Sequence, residues 1–164
     1  MSSIPEYIKK LECNALSEAL NYLDNLKKLN WNDIPQEIYV NINSLVINKK
    51  YYNSFWNLKS QEDLTTFLST FKNCILQNDL SFYNISYRRH DLKRILLNNY
   101  DYEVDSVLEN NPILLLKEKN NFTIIDGMHR FLGKYSKELK QNPNINGIYI
   151  NSYLATTKEF VLNE

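Results

Sequence analysis

The segment Phe122–Lys140 decides the fold, and its sequence is FTIIDGMHRFLGKYSKELK. The β-branched residues in Phe122–Ile125 predict a short strand, Asp126-Gly127 predicts a tight turn, and the pattern after it predicts a helix beginning near Met128. Because glycine has no Cβ, Gly127 permits unusual φ values and lets another group approach the main chain closely. The helical spacing predicts that the helix buries Phe131, Leu132, Tyr135 and Leu139.

The start of this helix is a candidate anion site. The first amides of a helix have no intrahelical partners, and the helix dipole places partial positive charge there, so a phosphate group fits such a position. Arg130 adds a planar, permanently charged fork that suits phosphate oxygens, and His129 adds a donor or a proton-transfer group. The alternative interpretation is that Asp126 is only an N-cap and that His129 and Arg130 are ordinary surface residues.

The same residues resemble a known signature. Ile124–Phe131, with the sequence IIDGMHRF, is similar to the DGxHR signature of the ParB/sulfiredoxin superfamily. Asn111–Leu116 resembles the strand that precedes the signature, and Ile145–Ile150 resembles the closing strand, so the similarity covers roughly residues 80–157. The resemblance implies a nucleotide phosphate site, with ATP or ADP and Mg²⁺ as cofactors. The residues that it assigns to phosphate binding are Asp126, Gly127, Met128, His129 and Arg130.

The pattern is closest to that of ParB-type free serine kinases. In those proteins a polar segment facing the phosphate motif carries a PHE-like element, whose carboxylate activates the substrate hydroxyl. In this chain the predicted strand Phe82–Tyr87 ends in such a polar segment, with Arg89 in place of the proline and Asp91 in place of the glutamate. The alternative is a solvated basic face with Asp91 as an N-cap. The candidate catalytic residues are Asp91, as a general base, and His129; the candidate substrate or phosphate contacts are Arg88, Arg89 and His90.

Two function classes follow, and one chemistry is excluded. Sulfiredoxin chemistry requires a cysteine within the signature, but this chain has Met128, and a thioether cannot act as a thiolate nucleophile. The first remaining class is ATP- or ADP-dependent phosphotransfer to a small hydroxyl substrate, which requires positioning and charge neutralisation. The second is a non-catalytic, nucleotide-dependent binding or regulatory module of the phage or defence-system type. A DNA-associated ParB-like protein is a further alternative, although no helix-turn-helix pattern follows the signature.

Composition limits the partners. The chain has 164 residues, 43% of them apolar, and a formal net charge of zero. A neutral chain does not favour a nucleic-acid or membrane partner, because such partners usually require a basic excess. No apolar run is long enough to span a bilayer, and the first residues lack the features of a secretory signal, so a cytoplasmic location is expected. Cys13 and Cys74 lie in predicted helices and are expected to be buried thiols.

The expected fold class is α+β, a ParB/sulfiredoxin-like small mixed sheet with flanking helices. Residues 1–79 are predicted to form a mainly helical N-terminal extension with one strand, and residues 80–164 the phosphate-binding module. The extension contains a helix over Pro5–Leu29, a strand in which Ile38, Val40 and Ile42 alternate with polar residues, and a helix from Ser60 to about Gln77. Ser60–Asp63 is close to a capping box at the start of this last helix, and its predicted apolar face is Leu64, Phe67, Leu68, Phe71 and Ile75. Asn30–Pro35 is expected to break helical order.

Two further segments have open interpretations. Tyr51, Tyr52, Phe55 and Trp56 form an aromatic cluster that is expected to be core or a domain contact, with nucleobase stacking or a protein partner as alternatives. The acidic segment Asp101–Glu109 is read as a loop or short helix that offers oxygen ligands for Mg²⁺ or is simply solvated. A hairpin of Ile113–Glu118 and Phe122–Ile125 precedes the signature helix, and a short final helix is expected to begin at Thr156.

Overall fold

A ten-residue strand at the end of the described chain organises a mixed sheet. The computed structural model describes residues 24–48, 50–51, 58–78 and 103–157. In this part of the chain the strands are β1 (Asn30–Trp31), β2 (Gln36–Asn41), β3 (Ile113–Glu118), β4 (Asn121–Asp126) and β5 (Gly147–Thr156). The helices are α1 (Gln61–Gln77), α2 (Val104–Asn110) and α3 (Met128–Gln141), with a 3₁₀ turn at Ile42–Ser44. The predicted α+β class is confirmed.

Both edges of β5 are paired. One edge is antiparallel to β2, from Asn41 opposite Gly147 to Gln36 opposite Ser152, and then to β1, where Trp31 lies opposite Ala155. The other edge is parallel to β3, and β3 in turn is antiparallel to β4. Two strands from the first 79 residues therefore belong to the same sheet as the strand that leads into the signature turn.

The strand β3 is buried on both faces. Ile113 and Leu115 pack in the larger core cluster with α1 and α3, whereas Leu114 and Leu116 pack in a smaller cluster on the opposite face. A continuous apolar run is the expected sequence of a strand covered on both sides. The predicted hairpin between β3 and β4 is confirmed, with Lys119 at φ 55° in its turn.

Helix α1 begins and ends as its sequence predicts. The Ser60 Oγ accepts a hydrogen bond from the Asp63 amide at 3.1 Å, and the Asp63 carboxylate accepts one from the Lys59 amide at 3.0 Å. Asn78, at φ 52°, ends the helix in the left-handed region. The predicted apolar face is buried, as is Cys74, and this face packs towards α3. None of the described helices is long and apolar enough to cross a bilayer.

The smaller cluster differs from the sequence-based expectation. Asn30 and Trp31, expected only to break helical order, form the short strand β1, because pairing with β5 supplies hydrogen bonds that a two-residue pattern cannot predict. The Trp31 indole donates to the Leu26 carbonyl oxygen at 2.8 Å and packs with Leu29. Tyr51 is buried in this cluster, which confirms a core role for that aromatic residue; Tyr52, Phe55 and Trp56 lie outside the described residues.

Two strand ends also differ from the predictions. Ile42 begins the 3₁₀ turn instead of continuing β2. Thr156 is the last residue of β5, paired with Asn30 and Lys117, so the final helix does not begin there. Within the described part of the chain, the outer edge of β4 is met by one parallel bridge, between Leu45 and Phe122, and the Val46 amide donates to the Phe122 carbonyl oxygen at 2.8 Å.

An ion-pair cluster holds α2 against α3. The Asp105 carboxylate accepts hydrogen bonds from Lys134, at 2.6 Å, and from Lys137, and Lys134 also lies 3.3 Å from Glu138. Burial alone would raise the pKa of the Asp105 carboxyl, but the two lysines outweigh burial and lower its pKa below the ordinary 3.8. Burial alone would lower the pKa of Lys134, but its contacts with Asp105 and Glu138 outweigh burial and raise this pKa above its ordinary value.

We expect Asp105→Asn to lower the free energy of unfolding by at most about 1 kcal/mol at neutral pH, since a side chain that is 46% exposed is screened by solvent. Because the folded pKa is depressed, this stabilisation is present above the unfolded pKa and is lost as the pH falls below 3.8 through the folded value. Urea unfolding of both proteins over a pH series measures the difference. Glu109→Gln, on the same helix, is the control; a pH-independent difference for Asp105→Asn would contradict the assignment.

Candidate functional site

The signature segment forms the predicted strand, turn and helix. β4 ends at Asp126, Gly127 adopts φ 104° and ψ 25°, and α3 begins at Met128. The Phe131 amide donates to the Gly127 carbonyl oxygen at 2.8 Å and so closes the first helical turn. The positive φ explains why glycine stands here, since other residues are strained in this region.

Gly127 also makes room for two neighbouring side chains. A Cβ at this position would lie 2.5 Å from the Ile113 Cγ2 and 2.8 Å from the Arg130 Nη2. The close approach that the sequence predicted at this glycine is therefore made by a core residue of β3 and by the guanidinium of Arg130. The conformation of the turn is thereby fixed by the packing of the core.

Asp126 is not the N-cap of α3. Gly127 occupies the N-cap position and has no side chain with which to cap the helix. The Asp126 Oδ2 instead accepts a hydrogen bond from the Arg130 Nη2 at 3.1 Å, one helical turn away. The alternative interpretation of Asp126 as a simple cap is wrong for this physical reason: the carboxylate is turned towards a permanent positive charge.

The ion pair sets the electrostatics of the turn. The side chains of Asp126 and Arg130 are 26% and 14% exposed, so water screens the pair only in part. Asp126 holds the guanidinium beside Gly127, and its charge opposes any anion that approaches the same place. A guanidinium has five N–H donors in a fixed fork, so one arginine can in general serve a carboxylate and a phosphate together.

The other candidate residues are placed differently. Met128 is buried in the larger core cluster, so its contribution to a ligand site is restricted to its main chain. His129 is half-buried at the second position of α3. The predicted strand Phe82–Tyr87 and the candidates Arg88, Arg89, His90 and Asp91 lie outside the described residues, and their roles stay predictions.

The candidate Mg²⁺ ligands of the acidic segment lie in part within the described residues. There, no group of three or more histidine, cysteine, aspartate or glutamate side chains is assembled to hold a metal ion. In the acidic segment, Asp105 is occupied by Lys134 and Lys137. The Asp126 carboxylate offers oxygen atoms of the kind that Mg²⁺ prefers as ligands, and it lies next to the start of α3. Its Oδ2, however, accepts a hydrogen bond from Arg130.

Two clefts that the sequence analysis missed lie away from the signature turn. A cleft of about 340 Å³ lies where α1, the 3₁₀ turn, α3 and the segment after α3 meet, and one of about 380 Å³ lies beside α2 and β5. None of residues 126–130 is among the described residues that line either cleft. The sequence contains one signal of the first: Gln61, Thr65, Ser69 and Lys72 recur at helical spacing beside the apolar face of α1.

Comparison with known proteins finds no relative of this chain. No protein-family model, curated protein or solved structure matches this chain.

We expect Gly127→Ala to lower the free energy of unfolding by about 1–3 kcal/mol from backbone strain, with an added cost from the contact with Ile113. A double-mutant cycle with Ile113→Ala measures part of the side-chain conflict, because this substitution removes the Cγ2 at 2.5 Å, keeps the Cβ at 2.8 Å and leaves φ unchanged. Urea unfolding measures all four proteins. Wild-type stability in Gly127→Ala would show that the positive φ is not required.

Proposed function

We propose that this chain binds the phosphate group of a nucleotide, ATP or ADP, at the turn between β4 and α3. One observation carries the proposal: Gly127, at φ 104°, is the N-cap residue of a helix, and Arg130 in the first turn of that helix lies against the glycine. The first amides of a helix, the helix dipole and a guanidinium are each favourable to a phosphate. Asp126 is the opposing charge, and it orients Arg130 through the hydrogen bond between them.

The arrangement of the sheet supports a ParB/sulfiredoxin-like fold as part of this proposal. Three segments resemble that family: the signature, the strand before it and the closing strand. In the structure the second and third become β3 and the first half of β5, and β3 lies between β4 and β5 in the sheet. Segments that were matched separately in sequence are thus neighbours in space.

The proposed reaction is transfer of a phosphoryl group to a small hydroxyl substrate. Arg130, His129 and the first amides of α3 would bind and orient the phosphates, which is most of what this chemistry requires. Bound Mg²⁺ would add neutralisation of phosphate charge. Asp91 would accept the proton of the substrate hydroxyl as that oxygen attacks phosphorus.

A non-catalytic regulatory module is the second candidate, and a different observation favours it. Tyr39 and Tyr149 lie opposite each other on β2 and β5, with ring centroids 5.0 Å apart, and their side chains are 45% and 62% exposed. Adjacent exposed aromatic residues are typical of contact surfaces between proteins. On this alternative, nucleotide binding at the turn would alter the Asp126–Arg130 pair instead of supporting turnover.

The site assignment predicts opposite results for two variants. Arg130→Ala should weaken nucleotide binding about tenfold to a hundredfold, since it removes a charge-assisted hydrogen bond to phosphate. Asp126→Asn breaks the same ion pair but keeps the guanidinium, so it should preserve or strengthen binding by removing the opposing charge. Isothermal titration with ATP and ADP, with and without Mg²⁺, measures both; equal affinity in wild type and Arg130→Ala would refute the assignment.

Asp91→Asn distinguishes the enzyme from the binding module. If Asp91 is the general base, turnover should fall by about 10²–10⁴ while nucleotide affinity changes little. If it is an N-cap, asparagine replaces it well, and both stability and activity survive. Phosphoryl transfer from ATP and from ADP to a panel of amino acids and small alcohols is the assay. Nucleotide binding without transfer to any acceptor would favour the regulatory module.

A further inference from the structure

We infer that the cleft of about 340 Å³ beside α1 is a second binding site, for a small organic acid with a carboxylate and an apolar body. The site is separate from the phosphate turn, because none of residues 126–130 is in its described lining. Its volume is at the lower end of the range of small-molecule sites.

The cleft has a polar wall and an apolar floor. Thr65, Ser69 and Lys72 recur along one side of α1 and form the wall, whereas Leu45 and Ile145 supply apolar surface. Few but convergent polar groups on an apolar surface are the usual composition of a site for a small organic molecule.

Gln61 fixes one end of the cleft. Its side-chain amide donates to the Leu45 carbonyl oxygen at 2.9 Å and accepts from the Ile47 amide at 3.0 Å. The segment after the 3₁₀ turn is thereby held against the start of α1. The end of the cleft is preorganised by these two bonds, which reduces the entropy that a ligand would lose in ordering it.

Tyr135 supplies the observation that points to a ligand. Its side chain lines the cleft, yet the residue is only 2% exposed, and its ring packs 6.1 Å from Phe71 and 6.3 Å from Phe131. Among the described residues its hydroxyl has no hydrogen-bond partner. The hydroxyl oxygen is not one of the fully enclosed polar atoms that lack a partner, so it is accessible from the cleft that Tyr135 lines. A ligand oxygen in the cleft would satisfy this donor.

Lys72 determines the charge of the ligand. The residue is half-buried and makes no ion pair with any described residue, and the described lining of the cleft contains no acidic side chain. Burial raises the pKa of Tyr135, so its hydroxyl stays protonated at neutral pH and acts as a donor. An ammonium and a phenol that face the same cleft suit a carboxylate, which accepts hydrogen bonds on both oxygens.

A titration of the full-length, ¹⁵N-labelled protein with phenylacetate and with hexanoate tests the inference. Phenylacetamide is the matched neutral probe, because it has the shape of phenylacetate without the charge. The expected result is a saturable shift of the amide signals of Ser69, Lys72 and Tyr135 with the acids, and at least about tenfold weaker binding of the amide. Equal binding of acid and amide, or no saturable shift with either acid, would overturn the proposal.

Two variants locate the contacts. Lys72→Met and Tyr135→Phe should each weaken phenylacetate binding about tenfold, which corresponds to about 1.4 kcal/mol, and Lys59→Met should leave it unchanged. Tyr135→Phe keeps the ring contacts and removes only the hydroxyl, so its Tm should equal or exceed that of wild type. Wild-type affinity in Lys72→Met, or a lower Tm in Tyr135→Phe, would show that these groups serve the fold and not a ligand.

Discussion

Burial of β3 on both faces is the constraint on which the rest of the structure depends. Its four residues from Ile113 to Leu116 are fully buried, two in each core cluster. A strand with apolar residues on both faces must be covered twice, and removing each such side chain from water is worth roughly 1.5–3 kcal/mol. Helices α1 and α3 cover one face, and the segment that ends in β1 covers the other.

The same strand links the core to the candidate phosphate turn. Ile113 belongs to the larger core cluster and also occupies the space beside Gly127, where a Cβ would otherwise stand. Any change in the packing of β3 against α3 is therefore transmitted to the start of the helix that is proposed to hold phosphate. Rigid support of this kind is what a binding turn requires, because a ligand gains most from groups that are already in position.

The sequence predicted local features well and long-range ones poorly. The turn at Gly127, the Ser60 cap and the buried faces of α1 and α3 follow from neighbouring residues, and the structure confirms them. The pairing of β1 with β5 depends on how two distant segments meet, so the pattern did not reveal it. The Asp126–Arg130 hydrogen bond is local, but Asp126 lies before the helix begins, so the helical spacing did not reveal this bond. The cleft at Tyr135 is built from four separate parts of the chain, and only the polar spacing along α1 indicated it.

The bridge between Leu45 and Phe122 has a consequence for aggregation. Among the described strands, β4 is the outermost on its side of the sheet, and an open strand edge is a template for pairing with another chain. The Leu45–Val46 segment blocks part of that edge with one parallel bridge, and Gln61 holds the segment in place. Release of this segment would expose more of the described edge of β4 and would also withdraw Leu45 from the larger core cluster. This segment thus limits access to one described strand edge, and the longest described helix holds the segment in place through Gln61.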